Sequence, residues 1–447
     1  MLWQPSLPDI YTKMPSDHLA SAISQRRKQL GSDLVILGHH YQSDEVIQHA
    51  DYTGDSLKLS QIAARLSQGS GKSPKSIMFC GVHFMAETAD MLTPPEVAVI
   101  LPDLSAGCSM ADMAQYDDTV QAWNDIHASL AEQGWTGRIV PITYVNSSAA
   151  IKAFVGAHGG ACCTSSNALE VFKWAMTEGC PVAHAGTRGH SDAGLERNPA
   201  VPQGQTTTKV FFLPDQHLGR NTAAKFGIDV AARSCVYDPR QTRRGNALGG
   251  ATPRQLLDSD VILWAGHCSV HKLFRPEHCD QIRELNQTDA AKGMNPMQIL
   301  VHPECSKEVV DKADLNGSTE FIIKTIQNAP VASRWAVGTE IHLVNRIAKE
   351  ASMRGVYVRI LSDCQCLCTT MYRIDQPHML WVLDNLAGKF EERSGNGKPP
   401  KARIVNQIIV PKEVREPALL AIDRMLNLSA SPTPTAATRL EQLATAD

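Results

Sequence analysis

Residues 34–45 read LVILGHHYQSDE. Leu34 to Gly38 are apolar without a break, so neither face of this segment is marked for water. A short continuous apolar run reads as a strand covered on both sides, the usual state in a parallel sheet. The run then stops at His39, His40 and Tyr41, three residues that carry chemistry. The same pattern recurs along the chain, at 76–80, 97–102, 139–145, 161–164, 209–214, 261–266, 298–303, 334–338 and 356–361. Between these runs lie segments of helical period, such as DSLKLSQIAARLSQ, NALEVFKWAMTEG, STEFIIKTIQNA and TEIHLVNRIAKEA. Buried strands alternating with helices predict an α/β protein with parallel sheets.

The chain has 447 residues, 43% hydrophobic and 20% charged, a globular composition with length for two to four domains. A formal net charge of -3 supplies no basic field, so no nucleic-acid partner is expected. The start, MLWQPSLPDIYTKM, lacks the order of a signal peptide, and no apolar run reaches the ~20 residues of a membrane span. The expectation is a cytoplasmic protein with no membrane partner. Twelve cysteines in such a chain read as metal ligands, catalytic groups or core thiols rather than disulfides. Cys80, Cys162, Cys163 and Cys235 fall in strand-like or core contexts.

Three other cysteines each follow an apolar run in a polar knot: Cys108 in LPDLSAGCSM, Cys268 in VILWAGHCSVH and Cys368 in VRILSDCQCLCTTM. Sites in parallel α/β folds form at the carboxyl ends of strands, so folding can gather the three thiols. Three thiolates can hold three irons of a cubane cluster and leave the fourth iron open as a Lewis acid. Histidines beside Cys268 also admit zinc, although no C-x2-C pair of the zinc-ribbon kind occurs. Spacing alone does not name the metal. The cysteine positions divide the chain near 108, 268 and 368 into three α/β units, without a clear sequence repeat. Residues 180–207 and 232–256 read as long loops or a lid, and the tail after Leu428 as mobile.

His39 and His40 are adjacent and cannot both face inward, so one reaches the cleft. Tyr41, on the same side as His39, offers a phenol for proton transfer. In HPEC, Pro303 ends a strand and drops His302 and Glu304 into a loop, where a surface carboxylate is the plain alternative for Glu304. Asp55 and Ser56, Ser165 and Ser166, and Ser318 and Thr319 open helices. Each pair has a capping explanation, but a helix start also presents free N–H groups to anions. Several starts at one point suit a polyanionic substrate.

Taken together, GHHYQ, TGDSLKLS, VHFMAETADML, GCSMAD, YVNSSAAIKA, TSSNALEV, PDQHLGR, GHCSVH, HPEC, GSTEFI and the final Cys-Thr-Thr-Met resemble quinolinate synthase, from about residue 30 to about 428. The resemblance implies three pseudo-equivalent, three-layer α/β domains around a central active site. They run 1–108, with 369–428 packing back on the first; 109–267, carrying the insertions near 180–207 and 232–256; and 268–368. Residues 429–447 remain a tail. It implies a [4Fe–4S] cluster on Cys108, Cys268 and Cys368, the last because Met371 follows it by three. The implied reaction condenses iminoaspartate with dihydroxyacetone phosphate to quinolinate, phosphate and water in NAD biosynthesis, with a functional link to the enzyme supplying iminoaspartate. Tyr41 and Glu304 match the proton-transfer pair. His39, Ser56, Tyr144, Asn146, Ser165, His302 and Thr319 match positions that grip carboxylate and phosphate. His271 falls near the cluster without a defined role.

This chain has C-x-C-x-C near the third ligand, where some relatives have C-x-x-C-x-x-C, so Cys364 and Cys366 are not assigned as a redox pair, and Cys366 competes with Cys368 as the third ligand. Two rival readings stand beside the enzyme. One is a zinc-dependent hydrolase on His39, His302 and a cysteine. The other is a non-catalytic iron–sulfur carrier, which needs a fourth protein ligand and has no use for Tyr41 or Glu304.

Overall fold

The computed structural model describes residues 3–68, 73–177, 208–363, 366–389 and 401–429. The stretch 180–207, Cys364 and the tail from 430 lie outside the described residues.

Strands β1 (Leu34–His39), β2 (Tyr52–Gly54), β3 (Ser76–Cys80) and β4 (Ala98–Ile100) form a first parallel sheet in the order β2-β1-β3-β4. Strands β5 (Arg138–Tyr144), β6 (Ala161–Cys163), β7 (Thr208–Leu213), β8 (Ser234–Tyr237) and β9 (Val261–Trp264) form a second, ordered β6-β5-β7-β9-β8. A third contains β10 (Met297–Val301), β11 (Leu315–Asn316), β12 (Arg334–Gly338) and β13 (Tyr357–Ile360), ordered β11-β10-β12-β13. Strand β14 (Gln407–Ile408) closes the first sheet, antiparallel to β4. The protein is α/β, and every other pair is parallel.

In each sheet the first strand lies between the second and the third. A parallel neighbour needs a crossover, and here the crossovers are helices. The four segments of helical period become Ser56–Gln68, Ala168–Thr177, Thr319–Gln327 and Ile341–Ser352. All ten apolar runs contain a strand. The strands not read from sequence, β2, β8, β11 and β14, are short members at sheet edges. An edge strand needs no continuous apolar run; β8 alternates half-buried and buried positions over four residues. The stretch 232–256, read as loop or lid, therefore contains β8 together with helices Pro239–Arg243 and Pro253–Asp258. Its Gly and Pro residues punctuate short elements rather than one long loop.

Helix Gln376–Leu386 packs on helix Ser16–Leu30 beside the first sheet, whereas the last helix, Lys412–Ser429, lies against helix Ala149–Ala157 and β6. Gly156 lets those two helices approach closely: a Cβ there would lie 1.9 Å from the carbonyl oxygen of Pro417. No helix of the described residues is long and apolar enough to cross a membrane.

Candidate active site

Each sheet sends its first strand toward the same cavity, and the chain turns polar where that strand ends. His39 closes β1 and Tyr144 closes β5, while His302 follows β10 directly. Two positions later stand Tyr41, Asn146 and Glu304. After the second strand of each sheet, a helix begins with Ser56, one turn after Ser165, or with Thr319. All nine side chains line one cavity, together with Cys108, Cys268 and Cys368. Val82, Phe84, Met110 and Val270 supply apolar wall.

The three cysteines share a local frame. The peptide N–H three positions on, from Ala111, His271 or Met371, points at each thiol. A short 3-10 turn starts at that same residue in all three cases. Each cysteine carbonyl then accepts from the residue four positions on, at 3.0 or 3.1 Å. The following helix has its N-cap seven residues after the cysteine, at Gln115, Arg275 and Asp375. This repeat escaped the sequence reading because it is one of backbone geometry: the side chains between cysteine and cap are nearly all different.

Burial pushes the Cys108 thiol up to about 12 and raises Cys268 and Cys368 as well. Such thiols keep their protons unless a cation replaces them. Cys366 is buried in an apolar cluster with Val270, Phe274 and Cys305, against which Cys268 and Cys368 pack, and its sulfur lies 3.3 Å from Ser362 Oγ. It does not line the cavity.

Glu304 is almost fully buried, yet its carboxyl is held well below the usual range. Burial works against this, and His271 foremost, with the Tyr144 hydroxyl, overcomes it. Glu304 Oε2 lies 2.5 Å from His271 Nδ1 and 3.5 Å from His302 Nδ1, and the two imidazoles stack at 4.5 Å. His302 Nε2 reaches Ser165 Oγ at 3.2 Å. Burial, chiefly, lowers His39 and His302 to about 3, so both are neutral donors or acceptors near pH 7. Burial and the Glu304 charge raise Tyr41 and Tyr144 well above the ordinary phenol range. The cavity therefore sets the Glu304 carboxylate beside phenols that hold their protons, an arrangement for acid–base work.

Asn146 Oδ1, a buried oxygen in the cavity wall, has no hydrogen-bond partner, whereas the Glu304 carboxylate is in hydrogen-bond contact with the Tyr144 hydroxyl. Buried polar atoms are rarely left without a partner, and Asn146 Oδ1 faces the cavity. The helix starts at the cavity are partly capped by their own side chains, Lys58 N–H donating to Asp55 Oδ1 and Phe321 N–H to Ser318 Oγ. Ser166 of one start joins Asp55 of another, Oγ to Oδ2 at 3.1 Å. His40 points elsewhere, with Nε2 3.0 Å from Glu320 Oε1.

Sequence reasoning left His271 without a role and missed Thr339 altogether. Thr339 is fully buried, 2.9 Å from the Tyr41 hydroxyl and 3.2 Å from His271 Nε2. A lone threonine after a strand carries no signal; only the fold puts it between two functional side chains.

A sequence model of the NadA family, quinolinate synthetase A protein, matches residues 21–185 and 199–427. Among curated relatives, a quinolinate synthase of Anoxybacillus flavithermus is 44% identical over 421 residues, covering 94% of this chain and 96% of the relative. One from Acidobacterium capsulatum is 44% identical over 422 residues, 94% and 95% of the two chains. One from a Nocardioides species is 46% identical over 401 residues, 89% and 86%. With a match of this extent, the chain belongs to the quinolinate synthetase A family of NAD-biosynthetic enzymes.

Proposed function

We propose that this enzyme condenses iminoaspartate with dihydroxyacetone phosphate to give quinolinate, phosphate and water in the cavity between the three sheets. The observation that carries the reading is the meeting of three unlike functions in one space: three thiols, three helix starts and a buried carboxylate–phenol set. The substrates bring two carboxylates and a phosphate. Ser56, Ser165 and Thr319, at or one turn before the helix starts, bind those anions with hydroxyl and peptide N–H donors. His39, Tyr144, Asn146 and His302 add uncharged donors and acceptors that orient the substrates. Glu304, held as a carboxylate, takes a proton from carbon or nitrogen during condensation. Tyr41, held as a phenol, gives one to a departing oxygen.

The donor set also fits a [4Fe–4S] cluster on Cys108, Cys268 and Cys368. Three soft sulfur ligands in a largely apolar wall suit iron–sulfur chemistry, and the peptide N–H aimed at each sulfur would stabilise it as thiolate. When bound, a cluster with three protein ligands supplies an open iron as Lewis acid for loss of water. We read the three sheets as the cores of three pseudo-equivalent domains around this centre, which their shared strand order and shared cysteine frame support. A cytoplasmic setting, a functional link to the enzyme that supplies iminoaspartate, and no nucleic-acid or membrane partner belong to the same reading.

The zinc hydrolase is not favoured. Among the described residues, the metal-spaced trio is Cys268, His271 and Glu304, within 4.8 Å, and not His39 and His302 with a cysteine. The test is iron and acid-labile sulfide per chain after anaerobic purification, followed by assay for quinolinate. About four of each, with product formed, is the expected result. One zinc without sulfide would overturn the cluster, and a loaded protein that makes no quinolinate would overturn the reaction.

A further inference from the structure

Tyr41 and Glu304, the pair assigned to proton transfer, stand in loops that share one backbone frame. The N–H of each donates to the imidazole two positions before it, Tyr41 to His39 Nδ1 at 3.2 Å and Glu304 to His302 Nδ1 at 3.3 Å. The next N–H, of Gln42 or Cys305, returns to the carbonyl of that same histidine at 3.0 Å. The carbonyls on either side of Tyr41 and of Glu304 take their donors from another sheet's helix.

The Arg346 guanidinium donates from Nη1 to His40 O at 2.9 Å and from Nη2 to Gln42 O at 2.5 Å, the two carbonyls that flank Tyr41. The Asn221 amide donates both hydrogens of Nδ2, to Pro303 O at 2.8 Å and to Cys305 O at 2.9 Å, the two that flank Glu304. Only the NH2 end of an amide can face two carbonyls, so the orientation of Asn221 follows from the contacts. Both side chains are largely buried.

The two clamps are equivalent in the fold. Asn221 stands eight residues after β7 ends and Arg346 eight after β12 ends, in helices Gln216–Phe226 and Ile341–Ser352 that follow the third strand of their sheets. The corresponding residue after β3 is Thr88, whose hydroxyl turns back to Phe84 O of its own helix at 2.8 Å. Beside Asn146, the Ser147 carbonyl is met instead by Lys152, from helix Ala149–Ala157 of the same sheet. Among the described residues, the double clamp across sheets thus occurs at the two residues that move protons.

We propose that Arg346 and Asn221 are positioning residues of the condensation: each clamps, from a neighbouring sheet, the two carbonyls flanking an acid–base residue, and so aims Tyr41 and Glu304 into one cavity. This rests on the reaction proposed above. With its flanking carbonyls held, neither residue can swing without breaking one of the two bonds. Misplacement of a reacting group by about 1 Å costs on the order of 10²-fold in rate.

The experiment uses anaerobically purified holoenzyme with iminoaspartate generated in the assay. Asn221→Leu and Arg346→Met remove the donors and keep most of the side-chain volume. Each should lower kcat by about tenfold or more, with KM for dihydroxyacetone phosphate within about twofold and iron and sulfide at the wild-type level. Asp44→Asn breaks only the ion pair of Arg346 Nε with Asp44 Oδ1 at 2.7 Å and should keep wild-type kcat. Double-variant cycles separate positioning from packing. Asn221→Leu should cost less than about twofold more in Glu304→Gln, whose carboxylate is already lost, but its full factor in Tyr41→Phe; Arg346→Met should show the reverse. Full losses in both backgrounds, with a lower melting temperature, would overturn the proposal as packing alone. So would wild-type kcat in either single variant, or a loss in Asp44→Asn equal to that in Arg346→Met. Amide hydrogen exchange supplies a readout without turnover. Peptides covering 39–44 should exchange faster only in Arg346→Met, and those covering 302–306 only in Asn221→Leu. If wild-type protein makes no quinolinate, the reaction reading fails by itself, and exchange unchanged in both peptides would overturn the clamps.

Discussion

Glu304 Oε2 and His271 Nδ1 lie 2.5 Å apart with side chains only 4% and 1% exposed, joining the loop after β10 to the turn after Cys268. A buried carboxylate without such a partner would take up a proton; beside His271 it stays ionised. Replacing it by glutamine removes the charge and keeps the shape. Glu304→Gln is expected to lower kcat by about 10²–10⁴-fold while iron content stays at the wild-type level. Steady-state rates with iron analysis on the same preparation check this. A variant within about twofold of wild type would remove Glu304 from proton transfer.

The sulfur of Cys368 reaches the cavity and that of Cys366 does not. Cys368→Ser should therefore abolish the cluster absorbance and its labile sulfide. Cys366→Ser should retain both, with some loss of stability from placing a hydroxyl in an apolar cluster. The opposite pattern would exchange the third ligand.

His39 and His302 are lowered to about 3 in the folded chain, chiefly by burial, against an ordinary value of about 6.5. Between those values the unfolded chain binds protons that the folded chain refuses. Stability should accordingly fall as pH drops from about 6.5 toward 3, by up to about 1.4 kcal/mol per pH unit for each histidine. Urea midpoints measured from pH 7 to pH 5 report the slope, and His302→Gln should flatten it. An unchanged slope in that variant would mean His302 is protonated in the folded protein.

A methyl group on Gly156 would meet the Pro417 carbonyl oxygen at 1.9 Å, and backbone cannot swing aside as a side chain can. Gly156→Ala is predicted to cost about 1–3 kcal/mol by forcing the last helix away from helix Ala149–Ala157. The melting temperature should drop, with cluster content per folded chain unaltered. A neutral substitution would show that the two helices can slide without penalty.

The central strands were legible in the sequence because burial on both faces demands continuous apolar residues, as in LVILG and KVFFLP. Helix positions were legible from period and from starts such as Asp55-Ser56 and Ser318-Thr319. Edge strands were not, since β2, β11 and β14 span two or three residues and take their order from a neighbour. Candidate ligands and acid–base residues could be named because cysteine, histidine, tyrosine and glutamate are conspicuous beside apolar runs.

What the chain order does not contain is mutual distance. Tyr41 and Thr339 are 298 positions apart, and their hydrogen bond exists only because β1 and β12 end at the same cavity. Likewise, the shift of Glu304 depends on His271 and the Tyr144 hydroxyl, not on its own neighbours in sequence alone. Local patterning determined the strands, the helices and the reactive side chains, because each responds to the next few residues. Tertiary structure decided which of those side chains meet, and with what charge, because Coulomb and hydrogen-bond energies depend on separation in space and on the exclusion of water.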